Sequence, residues 1–171
     1  PAWLLVSRPY GDSSLLLEAF SRDHGRVGLV AKGARNPKSR QRGVLQVFTP
    51  LLLSWIGRGD LATLTAAESQ GSPLFLAGER VFYGWYINEL LSHLLHRHDA
   101  HAPLFDLYAA LMPALAASEI EALTALRLFE KHLLAEVGYG LQLPSWLQAD
   151  ARYRYDWDEG PQPDQTGYAG S

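Results

Sequence analysis

The sequence predicts an α+β protein, a small N-terminal β-barrel followed by an α-helical domain. Two observations carry this. The first ~70 residues hold five short apolar runs separated by turn clusters, the signature of closely spaced strands. From about Gly78 to Gly138 the texture changes to apolar residues at helical spacing.

The strands come first. "WLLVSRPY" and "SLLLEAF" are split by Gly11-Asp12-Ser13, a turn cluster. "GRVGLVAKGA" follows "SRDHG", again with turn chemistry. "QVFTPLLLSWIG" and "LATLTAAE" flank Gly57-Arg58-Gly59-Asp60, a good hairpin turn. Closing five such strands into a barrel removes their exposed edges. After Gly71-Ser72-Pro73 three helices are expected. Val81, Ile87, Leu90, Leu91, Leu94 and Leu95 drive the first, with Tyr83 and Trp85 on the same apolar stripe. Leu104, Phe105, Tyr108, Leu111 and Met112 drive the second, and Leu123, Leu126, Phe129, Leu133 and Val137 the third. Pro103 suits a helix start and Gly138 a helix end. The expected domains are residues 1–76, 77–142 and an irregular connector or tail over 143–171, rich in Pro, Gly and acids.

Composition bounds the function. The 171 residues carry a net charge of -3 and no cysteine, which excludes disulfides and zinc-thiolate sites. No apolar run reaches the ~18 residues of a membrane helix. The chain begins at Pro1 without a basic-then-apolar leader, so no secretory signal is expected. Without an initiator Met, a few residues are expected to precede Pro1. Charge is split unevenly. Residues 1–80 hold ten Lys/Arg and six Asp/Glu, and residues 81–171 hold five and twelve. "VAKGARNPKSRQRG", residues 30–43, concentrates Lys32, Arg35, Lys38, Arg40 and Arg42 with no acid among them. Pro37 lacks a donor and biases Asn36 away from helix, so the segment is expected to be a mobile loop. Such cations neutralise phosphates and track a backbone without reading sequence. Arg22 and Arg26 precede the segment and Arg8 lies on the first strand, so several charges can line one groove. Tyr10, Phe20, Phe48 and Trp55 are either stacking platforms for bases or core residues.

Catalytic signatures are missing. There is no Gly-Lys-Ser/Thr, no G-x-S-x-G and no G-x-G-x-x-G after a strand. Asp12 with Ser13 or Ser14 reads as a turn cap. His93, His96, His98 and His101 are spaced as imidazoles that can bind a transition metal, but they do not match H-E-x-x-H, and a helix-capping or surface role, favoured by the dipole at a helix end, is expected. No cofactor and no metal are expected. The RGD tripeptide at 58–60 fills a predicted turn and is discounted.

"RPYGDSSLLLEAFSRDHGRVGLVAKGAR", "GVLQVFTPLLLSWIGRGDLATLTAAE", "YINELLSHLL" and "ALRLFEKHLLAEVGYGLQL" together resemble the RecO family of bacterial DNA repair and recombination mediators. The resemblance runs from about residue 3 to 155. It implies that the barrel is an OB-fold and that the activity is not enzymatic. The implied activity is binding of single- and double-stranded DNA, annealing of complementary strands, and help in loading RecA onto strands coated by single-strand binding protein. It also implies RecR and the acidic C-terminal tail of the single-strand binding protein as partners, no membrane, and a cytoplasmic, nucleoid-associated location. Lys32 to Arg42 match the family's basic barrel loop. Arg127 matches a basic position of the helical domain, with Lys131 one turn later, and both are candidates for the peptide's carboxylates. A solvated helix face with Arg127 paired to Glu130 is the plainer alternative. Two departures accompany the resemblance. The four-cysteine zinc module of many members is absent, and members continue beyond "YRYD", so a C-terminal part is expected to be missing. The rival reading is a protein-interaction adaptor in which DNA binding is incidental.

Overall fold

A computed structural model describes residues 1–57 and 59–169. Strands β1 (Ala2–Tyr10), β2 (Ser14–Ser21), β3 (Gly25–Ala31), β4 (Pro50–Ile56) and β5 (Ala62–Ser69) form a closed barrel in the order β1-β2-β3-β5-β4. Ala2↔Leu51 and Trp3↔Pro50 close it between β1 and β4. The β3–β5 pairing is parallel and the others are antiparallel. This is the five-stranded OB-type barrel. Arg58, first residue of the RGD tripeptide and part of the expected β4–β5 turn, lies outside the described residues.

Leu4, Leu17, Ala19, Val27, Leu29, Leu51, Leu53 and Leu64 fill the barrel. Yet Trp3, Leu5 and Phe20 are also buried. They face outward, toward helices, which explains why "WLLV" is a continuous apolar run and not an alternating one. A register shift between Leu4 and Val6, of the kind a β-bulge makes, lets Leu4 and Leu5 both be buried.

The helices are α1 (Arg80–Leu94), α2 (Ala102–Ala116) and α3 (Glu119–Glu136). Pro103 sits in the first turn of α2, where its missing N–H costs nothing. A capping box opens α3. Ser118 Oγ accepts from the Glu121 N–H, and the Glu121 carboxylate accepts from the Ser118 N–H at 3.0 Å. Gly138, at φ 87°, follows its end.

Barrel and helices share one core. Trp3 meets Tyr108 edge-on at 5.5 Å, and Phe20 packs on Phe105 at 5.5 Å. A buried polar chain runs between them: the Tyr108 hydroxyl donates to Asn88 Oδ1 at 2.6 Å, and Asn88 Nδ2 donates to the Leu5 carbonyl at 3.0 Å. Burial pushes the Tyr108 phenol far above its ordinary pKa. Residues 1–130 form one compact unit and 131–171 a second.

Within the second unit, β6 (Arg152–Asp156), β7 (Gly160–Pro163) and β8 (Tyr168–Ala169) make an antiparallel sheet in the order β7-β6-β8. The sequence reading expects irregular chain there. β7 and β8 are short and β7 carries Pro and Gly, so only the Arg-Tyr alternation of β6 marks a strand there. Tyrosines order the segment: Tyr155 and Tyr153 hydroxyls accept from the Gln142 and Gln148 N–H groups at 2.9 and 3.1 Å. Among the described residues no helix is long and apolar enough to cross a membrane.

Candidate nucleic-acid interface

The cationic segment forms the β3–β4 connection. Its two feet are Ala34 and Leu45, both buried in the barrel core. The chain between them projects as an arch. Gly33, at φ 68°, supplies the left-handed turn out of β3. Ser39 Oγ accepts from the Gln41 N–H at 3.3 Å and opens a single 3-10 turn over Arg40–Gly43. The arch is pinned to the β1–β2 turn. The Arg35 N–H donates to the Ser13 carbonyl at 2.8 Å, and its guanidinium donates to the Gly11 carbonyl at 3.1 Å. The segment is therefore an arch tethered to the β1–β2 turn at Arg35. Lys32, just before the first foot, and Arg35, Lys38, Arg40 and Arg42 between the feet are all exposed. Among the described residues, none of the five pairs with a carboxylate, and neither does exposed Arg8 on β1.

Arg26 and Arg22 are used differently. The Arg26 side chain, 13% exposed, ion-pairs with Glu18 at 3.0 Å. Its Nη1 also donates to the carbonyls of Ser92 and, at 2.6 Å, Leu95. Those carbonyls belong to the C-terminal end of α1, whose last C=O groups have no partner within the helix. Arg26 thus caps α1 from the barrel. Glu18 Oε2 takes a second cation, Arg97, at 2.7 Å, and this hydrogen bond raises the Arg97 pKa. Arg97 also donates to the Asp60 carbonyl at 3.0 Å. Gly28, opposite Glu18 on β3, makes room: a Cβ there would lie 2.5 Å from the Asp60 carbonyl oxygen. Arg22 grips Asp106 of α2 through two hydrogen bonds of 2.9 and 2.8 Å. That pairing holds the Asp106 carboxyl below its ordinary pKa. These two arginines, grouped with the loop by sequence, are docking residues: Asp106, far along the chain, claims Arg22, and nearby Glu18 with the distant carbonyls of Ser92 and Leu95 claims Arg26. One signal was available. Glu18 is an acid inside an otherwise apolar strand, and Arg26 is its diagonal cross-strand neighbour.

The aromatic candidates also separate. Phe20 and Phe48 are buried, and Trp55 is half-buried with its ring set edge-on to His24 at 5.2 Å. Tyr10 is exposed. Sequence reasoning missed Phe75, 87% exposed in the linker before α1, and assigned Trp85 to a core stripe although it is 44% exposed. An aromatic in a Pro/Gly-flanked linker, "SPLFLAG", was the legible clue to Phe75.

His93 in the last turn of α1, and His96 and His98 just after it, are exposed. Among the described residues no group of three or more His, Asp or Glu is placed to hold a metal. In the helical part, Arg127 pairs with Glu130 at 2.7 Å, and Glu130 also accepts from the Tyr86 hydroxyl at 2.7 Å. Lys131, within the second unit, is exposed.

A closed OB-type barrel backed by helices, with exposed cations clustered on its β3–β4 connection, defines an OB-fold protein with a cationic loop. Residues 1–73 match the family model "Recombination protein O N terminal", and residues 76–146 match "Recombination protein O C terminal". The chain belongs to the RecO family, and its role lies in DNA repair and recombination. It is 47% identical over 168 residues to DNA repair protein RecO of Dechloromonas aromatica (strain RCB), covering 94% of this chain and 69% of that protein. With DNA repair protein RecO of Nitrosococcus oceani the identity is 46% over 167 residues, covering 94% and 68%. With that of Ralstonia nicotianae it is 47% over 165 residues, covering 94% and 60%. The chain therefore spans between 60% and 69% of these relatives' lengths.

Proposed function

We propose that this chain is a non-enzymatic DNA-binding mediator that holds single- and double-stranded DNA on the cationic arch. The carrying observation is the cationic segment itself: five exposed cations that pair with no carboxylate among the described residues, four of them between feet buried in the barrel core and Lys32 just before the first. Lys32, Arg35, Lys38, Arg40 and Arg42 meet phosphates, with Arg8 as a further contact. Arg22 and Arg26 are left out of the interface, because Asp106, Glu18 and the end of α1 already occupy them. Contact through the backbone alone is independent of sequence, which suits annealing of complementary strands. Family membership extends the reading to loading of RecA onto DNA coated by single-strand binding protein, with RecR as partner, in the cytoplasm at the nucleoid. The acidic tail of the single-strand binding protein is proposed to meet Arg127, whose side chain is 74% exposed. The tail must share Arg127 with Glu130. Lys131 is a second exposed cation for the tail.

The test is affinity against salt concentration. Each single-strand phosphate contact contributes about 0.7 to the log–log slope, so five contacts contribute about 3.5. The Lys32/Arg35/Lys38/Arg40/Arg42→Ala variant should lose that much slope and most of its affinity for both DNA forms. Unchanged slope and affinity would remove the arch from the mechanism.

A further inference from the structure

OB barrels commonly grip oligonucleotides on the face of their second and third strands. Here that face is occupied by the chain's own helices. Phe20 packs on Phe105, Arg22 holds Asp106, and Arg26 caps α1. A single strand held by the arch must place its bases elsewhere. Next to the arch lies an open apolar groove of about 400 Å³, walled by Leu45, Val47, Phe48, Phe75, Leu76 and Trp85.

We infer that this groove is the base-stacking site for single-stranded DNA, with Phe75 and Trp85 as the platforms and Arg40 and Arg42 on the flanking phosphates. The inference rests on the DNA-binding reading above. Four observations carry it. Phe75 and Trp85 are 87% and 44% exposed, whereas the expected stacking residues Phe20 and Phe48 are buried. The groove is also held in shape. Phe48 has φ 58°, a conformation that a bulky residue adopts only when its surroundings enforce it. Its ring lies against Gly84 of α1, where a Cβ would approach it to 2.7 Å, and it meets Trp85 at 5.5 Å. The Leu74 N–H donates to the Phe48 carbonyl at 3.1 Å, which ties down the residue before Phe75. Thirdly, no lining residue is ionisable, so no acid repels a nucleic-acid backbone. Finally, Arg42 and Leu45 are three residues apart, so the last cation of the arch lies within about 11 Å of the groove wall along the chain.

An acidic peptide with an apolar end is the other ligand that combines negative charge with an apolar group. Five cations spread over residues 32–42 suit a repeating phosphate chain better than one short cluster of carboxylates. Exposed flat rings beside an open groove also suit stacked bases better than an enclosed side chain.

The test compares the chain with Phe75→Ala, Trp85→Leu and the five-cation arch variant. Each is titrated with an oligothymidylate, with the same length made of abasic nucleotides, and with a duplex. Phe75→Ala changes an exposed side chain and keeps the fold. It should weaken oligothymidylate binding between about fivefold and a hundredfold, leave the abasic strand and the duplex unchanged, and leave the salt slope unchanged. Trp85→Leu should act in the same direction. Unchanged oligothymidylate affinity in both variants, with loss in the arch variant, overturns the groove assignment alone. Unchanged affinity in the arch variant overturns the DNA-binding reading itself. If Phe75→Ala abolishes binding of an acidic, Phe-ending peptide while oligothymidylate binding stays intact, the groove belongs to a peptide and the inference fails.

Discussion

Replacing Arg26 by Met separates a docking cation from a DNA-binding one. Arg26 donates to Glu18 and to two carbonyls at the end of α1, with its side chain and that of Glu18 each 13% exposed. Breaking a buried ion pair costs about 3–5 kcal/mol when the remaining charge is stranded. Glu18 is not stranded, since Arg97 still holds it at 2.7 Å. The two carbonyls do lose a charged donor, and such bonds are worth about 1.5–3 kcal/mol each. The low end of both ranges, about 3 kcal/mol, is the expected loss. At about 3 °C per kcal/mol it lowers Tm by about 9 °C. Urea unfolding read by near-ultraviolet circular dichroism measures the first, and a thermal melt the second. Arg26→Lys should recover less than half of the loss, because an ammonium cannot span the carboxylate and both carbonyls as a planar fork does. The slope of DNA affinity against salt should match wild type in both variants. Two results would refute the reasoning: stability within about 0.5 kcal/mol of wild type, inside the range of ordinary surface substitutions, or a salt slope shallower by about 0.7, which would restore Arg26 as a phosphate contact.

Two further outcomes follow from the same interface. Asp106 has its folded pKa lowered by Arg22, so its contribution to stability is full above the unfolded carboxylate range and disappears as pH falls through the folded value. Asp106→Asn should therefore be less stable than wild type near neutral pH and converge with it in acid, as read from urea midpoints; a gap that widens in acid would reverse the sign of the argument. Tyr108→Phe strands the Asn88 Oδ1 acceptor inside the core and should cost about 1–3 kcal/mol. In wild type, burial should delay tyrosinate absorbance from this phenol until the protein unfolds in alkali.

Much of the fold was legible because local chemistry punctuates it. Gly11-Asp12-Ser13 ends β1, and Pro103 and Gly138 bracket their helices where backbone rules require. The exact extent of β3 and β4 was not legible. The expected runs reach into residues 32–34 and 46–49, where Gly33 and Phe48 take left-handed backbone. Gly33 advertises that freedom, but a Phe at φ 58° is decided by tertiary packing against Gly84. The site divides in the same way. Arch cations are recognisable because five of them lie together without an acid. Arg22 looks identical to those in sequence and Arg26 differs only in having Glu18 near it, and only the fold supplies Asp106, 84 residues from Arg22, or the carbonyl of Leu95, 69 residues from Arg26. Local sequence reports the presence of charge, whereas long-range pairing decides whether it is available.

The docking of the helices and the placement of the arch are linked by one electrostatic constraint. A barrel that packs helices over its β2–β3 face must neutralise the cations there, and Glu18 and Asp106 do so at 3.0 and 2.8 Å. Arg22 and Arg26, once so paired, have their charge engaged and are not free for phosphate. Cations meant for an anionic partner must sit beyond the reach of these acids, on a connection that leaves the covered face. The β3–β4 arch meets that condition. It leaves β3 at Gly33, turns away through the 3-10 turn at Arg40–Gly43, and returns to the core at Leu45. Placing a further positive charge on the barrel face, for example with Leu16→Lys beside Glu18, crowds it against Arg8, Arg26 and Arg97 and should therefore lower stability without adding to the DNA salt slope. An increased slope would show that the covered face still meets phosphate.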